Sequence, residues 1–341
     1  MKKFINSAPL VLAFALFLGS CSSDRLKEVD TDAIELAPIK VLRLDRDVFA
    51  TPPDSFATGS KRMLSKYKNF YNTFIFSVVN RGEQRDPVYK ALALFVTDPD
   101  MKQVNKTVQE IYQDAEMQRL ENELTQSFKY FKYHFPKCEI PEQYVSFISG
   151  FNYNITSMDS TLGISLDMYL GEQNKYYQML QWPRYKTRCM NKENVTTDAM
   201  RGWIIHCFDK NEPVNNLLNH MIFYGKIYYA LDAVLPFTPD SIKIGYSTKQ
   251  MEYCAQYKKN LWAYFTEQDR LFKNDLKEMA AYVSEGPFTS AISKECPPRI
   301  AMYVGWQIVR AYMNKNTDVT LQQLMGEKDA QKILTKSKYK P

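Results

Sequence analysis

The sequence predicts an α+β protein that is predominantly helical, with a small antiparallel sheet packed on a buried central helix. Two stretches carry this prediction. From Pro213 to Pro236, apolar residues recur at three- and four-residue steps and leave almost no polar face, which is typical of a buried helix. Between Ile140 and Gly171, two short β-type runs, YVSFISGFN and TLGISLDMYLG, flank a polar loop. These runs predict a hairpin or neighbouring strands.

The N-terminus has the pattern of a secretory lipoprotein. Two lysines precede a short apolar run that ends in LGSC, where cleavage would leave Cys21 as the lipidated first residue. Lipid on Cys21 would hold the protein to a membrane, because no later segment has the roughly 20 apolar residues of a spanning helix. We therefore expect a signal peptide over 1–20, a flexible tether over 21–38 and a single globular domain over 39–341.

Composition excludes some classes of protein. The net charge of +6 is spread along the chain, so we do not expect nucleic acid as a partner. The remaining cysteines lack paired short spacings, which argues against a zinc knuckle or a disulfide framework. A single disulfide bond is still compatible with the sequence. These cysteines are Cys138, Cys189, Cys207, Cys254 and Cys296.

In the first half of the predicted globular domain, the spacing of apolar residues mostly predicts helices. A strand is predicted over Ile39–Phe49, and an apolar stripe then predicts a helix through Met63 to Val79. Asp86-Pro87 and Asp98-Pro99 each combine a capping residue with proline at the first helical position. The second pair opens a long polar helix whose narrow apolar face extends to Phe131.

The second half surrounds the central helix with further helices. TTDAMRGWIIHCF precedes it as a short helix, SIKIGY follows it as an extended piece over 241–246, and Ser247 caps the next helix. Later helices are predicted over Leu271–Val283 and Pro297–Met313, with two short ones from Thr320 to the end.

Within the apolar run of the central helix lie His220, Tyr224 and Lys226, whose side chains are polar. If buried, they need hydrogen-bond partners. The zinc-peptidase motif H-E-x-x-H has the register of His220 to Tyr224, but Met221 replaces the glutamate and Tyr224 the second histidine. A catalytic zinc needs three protein ligands, and the chain has only two other histidines. We therefore expect no metal, no cofactor and no zinc peptidase activity.

The second predicted strand region adds two further candidates. Asp167 lies among apolar neighbours, either at an exposed edge or as a partly buried functional acid. With Tyr169, it completes a candidate binding cleft beside the residues of the central helix. A pair of carboxylates, Asp167 and Glu172, supports the alternative of an envelope hydrolase that acts on peptide or peptidoglycan. Nucleophile-elbow and phosphate-loop motifs are absent from the sequence.

Five segments in one order carry a family resemblance: FISGFNY (147–153), LDMYLG (166–171), NHMIFYGK (219–226), GWQIVR (305–310) and SKYKP (337–341). From Ile39 to Pro341, the chain resembles the GldB family of gliding-motility lipoproteins of Bacteroidota. The resemblance implies an envelope lipoprotein associated with gliding and the linked type IX secretion pathway. It also implies a distant similarity to zinc peptidases whose motif aligns on His220 to Tyr224, and thus a degenerate zincin-like scaffold.

These observations give one leading hypothesis and two alternatives. The leading hypothesis is a non-catalytic, lipid-anchored, periplasm-facing protein that binds a protein or peptide partner of the envelope in the candidate cleft. Ser22, which follows the lipidated cysteine where aspartate would retain the protein at the inner membrane, favours the outer membrane. The alternatives are the hydrolase and a structural part of a secretion complex without a functional cleft.

Overall fold

The computed structural model describes residues 22–79, 88–208 and 216–341, so the signal peptide, Cys21, Asp86-Pro87 and Pro213 lie outside the described residues. The predicted α+β, predominantly helical class is confirmed. The described helices are α1 Ser22–Lys27, α2 Leu44–Ala50, α3 Phe56–Thr73, α4 Val88–Thr97, α5 Pro99–Ile111, α6 Asp114–His134, α7 Lys175–Met179, α8 Arg184–Thr187, α9 Val195–Phe208, α10 Leu217–Val234, α11 Asp240–Ile244, α12 Thr248–Gln256, α13 Lys258–Thr266, α14 Leu276–Val283, α15 Ile300–Lys315, α16 Leu321–Gly326 and α17 Ala330–Ser337.

The sheet is mixed, so the prediction of an antiparallel sheet is wrong. Its strands are β1 Val41–Arg43, β2 Gln143–Phe147, β3 Ile155–Met158 and β4 Thr161–Ser165, in the order β1-β2-β4-β3. The two predicted β-type runs are indeed neighbours, but β2 pairs with β1 and with β4 in parallel. The segment predicted as a loop between them forms β3, which is antiparallel to β4. Because β3 brings the chain back along the sheet, β4 runs in the direction of β2.

The two faces of β2 contribute to two different hydrophobic clusters. Val145 and Phe147 join the cluster of α2, α3 and α4, where the Phe147 ring centroid lies 5.4 Å from that of Phe70. Tyr144 points to the larger cluster, with its ring centroid 5.4 Å from that of Phe128 in α6. This alternation is the two-residue period of a strand that is buried on both faces.

The central helix is α10, and its burial confirms the prediction from the apolar pattern. The helix begins after Asn216, whose side chain accepts a hydrogen bond from Asn219 N at 2.9 Å, and ends at Val234 shortly before Pro236. It packs against α6, α9 and above all α15. Helix α9 also lies against β3 and β4, so it joins the sheet to α10.

Two glycines allow α10 and α15 to approach each other closely. A Cβ atom at Gly305 would lie 1.9 Å from the carbonyl oxygen of Met221, and one at Gly225 would lie 2.5 Å from the carbonyl oxygen of Gly305. Real Cβ atoms do not tolerate such distances, and the atoms opposite are main-chain atoms that cannot rotate away. The crossing therefore requires glycine at both positions.

Several predicted helix starts are confirmed by their caps. Asp98 accepts a hydrogen bond from Met101 N at 2.9 Å at the start of α5, and Ser247 forms a capping box with Gln250 at the start of α12. The long polar helix is two helices, because the chain bends at Tyr112 between α5 and α6. The two short C-terminal helices, α16 and α17, are as predicted.

Two predicted extended segments contain helices, and both predictions are wrong in the same way. In 39–49 only β1 is extended, because Leu44 and Val48 are buried one turn apart in α2. In 241–246 the chain forms α11, which ends at Gly245 with a φ of +73°. Glycine adopts this left-handed conformation without steric cost and commonly ends a helix. Short apolar runs fit both periods, so local pattern did not distinguish them.

The segment predicted as a tether contacts the body along much of its length. Leu26 is buried, and Arg25 Nη2 lies 3.4 Å from the carbonyl oxygen of Met313. Further on, Thr31 Oγ1 accepts a hydrogen bond from Gln126 at 2.7 Å. From Leu26 onward, the described part of this segment is therefore held against the helices.

The α10–α15 crossing gives a test of the fold. We expect Gly305→Ala to lower the free energy of unfolding by about 3 kcal/mol, the upper part of the range for overpacking, because the added methyl meets main-chain atoms. Urea denaturation followed by circular dichroism measures the change. Gly326→Ala is the matched control, because a Cβ there has no atom within 4 Å. Equal stability of the two variants would contradict the close crossing.

Candidate functional site

His220 and Tyr224 lie one turn apart on α10, as the zinc-motif register requires. Their ring centroids are 4.8 Å apart. With Asn219, they are the residues of α10 that are not buried. Burial lowers the pKa of His220, and no described residue is a hydrogen-bond partner of its Nε2 atom. This part of α10 therefore presents a neutral imidazole beside a phenol at the edge of the core.

Lys226 is fully buried and serves the fold. Its Nζ atom donates to the carbonyl oxygen of Glu327 at 3.0 Å and lies 3.5 Å from that of Met325. Main-chain carbonyls at the end of a helix are favourable partners for a cation. Lys226 thus anchors the connection between α16 and α17 to the central helix.

Asp167 is fully buried in a 3-10 turn, Leu166–Tyr169, directly after β4. Its carboxylate accepts hydrogen bonds from Ser149 N at 3.0 Å, Phe151 N at 2.7 Å and Ser165 Oγ at 2.5 Å. Burial raises the pKa of this carboxyl, while the three donors oppose the rise. A carboxylate with these partners holds the loop after β2 and is closed to solvent, so neither an edge position nor an accessible acid describes it.

Tyr169 is buried, and its hydroxyl donates to Asp198 Oδ2 of α9 at 3.0 Å. Its main-chain oxygen accepts from the Tyr112 hydroxyl, also at 3.0 Å. Glu172, the second carboxylate of the hydrolase alternative, accepts a hydrogen bond from Arg184 Nε at 2.7 Å. Asp167 and Glu172 are therefore both engaged by groups of their own surroundings.

The candidate cleft is thus divided between different parts of the molecule. Lys226 holds the C-terminal helices, Asp167 holds the loop after β2, and Tyr169 connects the sheet region to α9. Only the adjacency of His220 and Tyr224 follows the predicted arrangement. The predicted lipidation site, Cys21, lies outside the described residues.

A buried ionic cluster around Asp232 was not predicted from the sequence. Asp232 of α10 accepts hydrogen bonds from Trp306 Nε1 at 2.8 Å, Arg310 Nε at 2.7 Å and Lys243 Nζ at 2.8 Å. Arg310 also donates to Asp240 at 2.6 Å. The signal was present, because a carboxylate within an apolar helical run needs cationic partners. The cluster ties α10 to α11 and α15.

Metal ligands and disulfides are not assembled in the described part of the chain. Residues 22–79, 88–208 and 216–341 contain no group of three His, Cys, Asp or Glu side chains placed to hold a metal ion. No disulfide bond joins the cysteines within those ranges. Nor does any helix there have the length and apolar character needed to cross a bilayer.

The fold and these contacts define a largely helical α+β protein whose buried charges bind helices and loops together. Over residues 24–341, the chain matches the family model described as gliding motility protein GldB. Because this match covers nearly the whole chain, the protein belongs to the GldB family of gliding-motility lipoproteins of the cell envelope. No curated protein and no solved structure matches the chain, so the likeness to zincins stays a prediction.

The environment of Asp167 predicts a specific loss of stability. We expect Asp167→Asn to lower the free energy of unfolding by about 2 kcal/mol, because an amide NH₂ cannot accept the hydrogen bonds that the carboxylate accepts. Thermal and urea unfolding measure the change. Asp159→Asn is the matched control, since Asp159 is exposed and its positive φ suits asparagine. A loss no larger than that of the control would refute the structural role.

The half-buried His134 predicts a pH dependence of stability. Burial lowers the pKa of His134 to about 4, and its Nε2 atom has no hydrogen-bond partner among the described residues. The unfolded chain binds this proton near pH ~6.5, so the stability contributed by the neutral ring is lost as pH falls from that value towards 4, by at most about 3 kcal/mol.

The corresponding measurement compares the wild type with His134→Gln in urea between neutral and acidic pH. Glutamine does not titrate, so we expect the two free energies of unfolding to diverge with pH by the amount that His134 contributes. Parallel curves for the two proteins would show that the ring titrates normally in the folded state.

Proposed function

We propose that the protein is a non-catalytic component of the gliding-motility and type IX secretion machinery that binds a protein partner of the envelope. Lipid on Cys21 would anchor it to the outer membrane on the periplasmic side, in keeping with the family and with Ser22 after the cysteine. In this proposal, the fold is that of a former zinc peptidase from which the metal ligands have been lost.

The observation that carries this proposal is the difference in solvent accessibility between the polar residues of the candidate site. Asp167 and Lys226, which could act on a substrate, are closed to solvent and take part in hydrogen bonds within the fold. His220 and Tyr224 are partly accessible on an otherwise buried helix. The accessible parts of an imidazole and a phenol in contact offer flat aromatic area, which suits a protein interface.

Exposed apolar side chains lie close to the beginning of the same helix. Leu217 N donates to the carbonyl oxygen of Lys273 at 3.0 Å, which places the segment 272–276 beside the first turn of α10. In this segment, 52% of Phe272 and 78% of Leu276 are exposed. Large apolar side chains at such exposure favour a partner that covers them with apolar groups of its own. We define the partner surface as His220, Tyr224, Phe272 and Leu276.

The test is site-specific crosslinking in cells that produce the full lipoprotein. A photoreactive amino acid at position 224 is expected to capture one defined envelope protein, because this position is part of the partner surface. The same amino acid at position 257 is the matched control, since Tyr257 is an exposed tyrosine between α12 and α13, outside the partner surface.

A second variant separates binding from catalysis. We expect His220→Ala combined with Leu276→Ala to abolish the crosslink formed from position 224 while the amount of protein stays normal. Glu172→Gln removes an accessible carboxylate that the hydrolase alternative needs, and we expect it to leave both the crosslink and gliding unchanged. The proposal fails if position 224 captures nothing beyond the control, or if Glu172→Gln alone abolishes gliding.

A further inference from the structure

A cavity of about 390 Å³ lies between α9, the end of α11 and the residues that precede α15. It is separate from the partner surface, and two arginines, Arg201 of α9 and Arg299, contribute to its lining. The volume is within the range of sites that hold small organic ligands. Neither arginine stood out in the sequence as a site residue.

Both guanidinium groups are brought together by the end of α11. Arg201 Nη2 donates to the carbonyl oxygen of Lys243 at 2.7 Å, and Arg299 Nη2 donates to that of Ile244, also at 2.7 Å. Because these carbonyls belong to successive residues, the two cations occupy neighbouring positions. Like charges at such positions repel each other unless anions separate them.

Both arginines keep donors that no described residue uses. Arg201 Nη1 pairs with Asp198 at 3.1 Å and Arg299 Nη1 with Glu285 at 3.2 Å. The Nε atoms of both arginines are buried and have no hydrogen-bond partner within the described ranges. A guanidinium carries five N–H donors, and a buried donor without an acceptor is costly. Each of the two guanidinium groups that line the cavity therefore carries one donor that the described residues leave unused.

The charges of the lining indicate the charge of a suitable acceptor. Three cations, Lys186, Arg201 and Arg299, face two carboxylates, Asp198 and Glu285, which leaves one excess positive charge. Asp198 is already bound by Tyr169 and Arg201, and the side chain of Glu285 is 65% exposed. A bound monoanion would bring the net charge of the lining to zero, whereas a phosphate dianion would leave it negative.

We propose that this cavity binds the carboxylate of a compact, partly apolar acid, such as the C-terminal residue of a peptide. Planar carboxylates match the fork of a guanidinium and accept two N–H donors at once. Met190, Ile242 and Ile244 line the same cavity and provide apolar contacts for the remainder of the ligand. This inference does not depend on the partner surface, because the two sites share no residue.

Isothermal titration of the full-length protein in detergent at neutral pH tests the site with N-acetyl-leucine, N-acetyl-leucinamide and inorganic phosphate as separate probes. We expect binding of N-acetyl-leucine and about tenfold weaker binding of the amide, which lacks the charged acceptor. Arg299→Gln is expected to weaken N-acetyl-leucine to a similar extent. Arg184→Gln is the matched control, since Arg184 loses the same charge at an exposed position outside the cavity.

Each other outcome counts against the proposal. Equal affinity for the acid and its amide, or an Arg299→Gln affinity equal to that of Arg184→Gln, would refute carboxylate binding. Stronger binding of phosphate than of N-acetyl-leucine would refute the assignment of a monoanion. If Arg299→Gln does not fold, phenylglyoxal labelling of the wild type replaces it: N-acetyl-leucine must protect Arg201 and Arg299 from modification but leave Arg184 reactive, and lack of protection overturns the site.

Discussion

The close contact of α10 with α15 is the constraint on which the remaining architecture depends. At Gly225 and Gly305 the two main chains approach so closely that no side chain fits between them. Further along the same pair of helices, the Asp232 carboxylate binds Trp306 and Arg310 of α15. The first contact sets the distance between the helices, and the second sets their register. The sheet, α6 and α9 are then arranged around a pair whose relative position cannot slide.

Features that depend on neighbours in the sequence were predictable, and those that depend on distant partners were not. The apolar period of α10 and the caps Asp98 and Ser247 are local signals, so the corresponding helices are where the sequence places them. The relative direction of β2 and β4 depends on the segment that connects them. Because β3 is short and only half-buried, its residues resembled a loop, and the sheet was wrongly predicted to be antiparallel.

The candidate site shows the same division. His220 and Tyr224 are adjacent because one helical turn separates them, which the sequence alone determines. Asp167 and Lys226 were recognised correctly as polar groups in apolar surroundings, but most of their partners are main-chain atoms of other segments. An ionisable residue in an apolar run indicates that the fold supplies a hydrogen-bonding or ionic partner, but it does not indicate which segment supplies it. Asp232 carried that signal as clearly, and its partners also come from distant segments.

The contact of the N-terminal segment with the helices limits how the protein is carried at a membrane. Leu26 is packed against the body, and it lies only five positions after Cys21. A fully extended chain of that length spans at most about 18 Å. For a chain anchored through Cys21, the folded domain would lie close to the lipid headgroups and would not be held away from them by a long flexible linker. Molecules that approach from the bilayer would then meet one fixed side of the protein, and those that approach through the aqueous phase would meet the other.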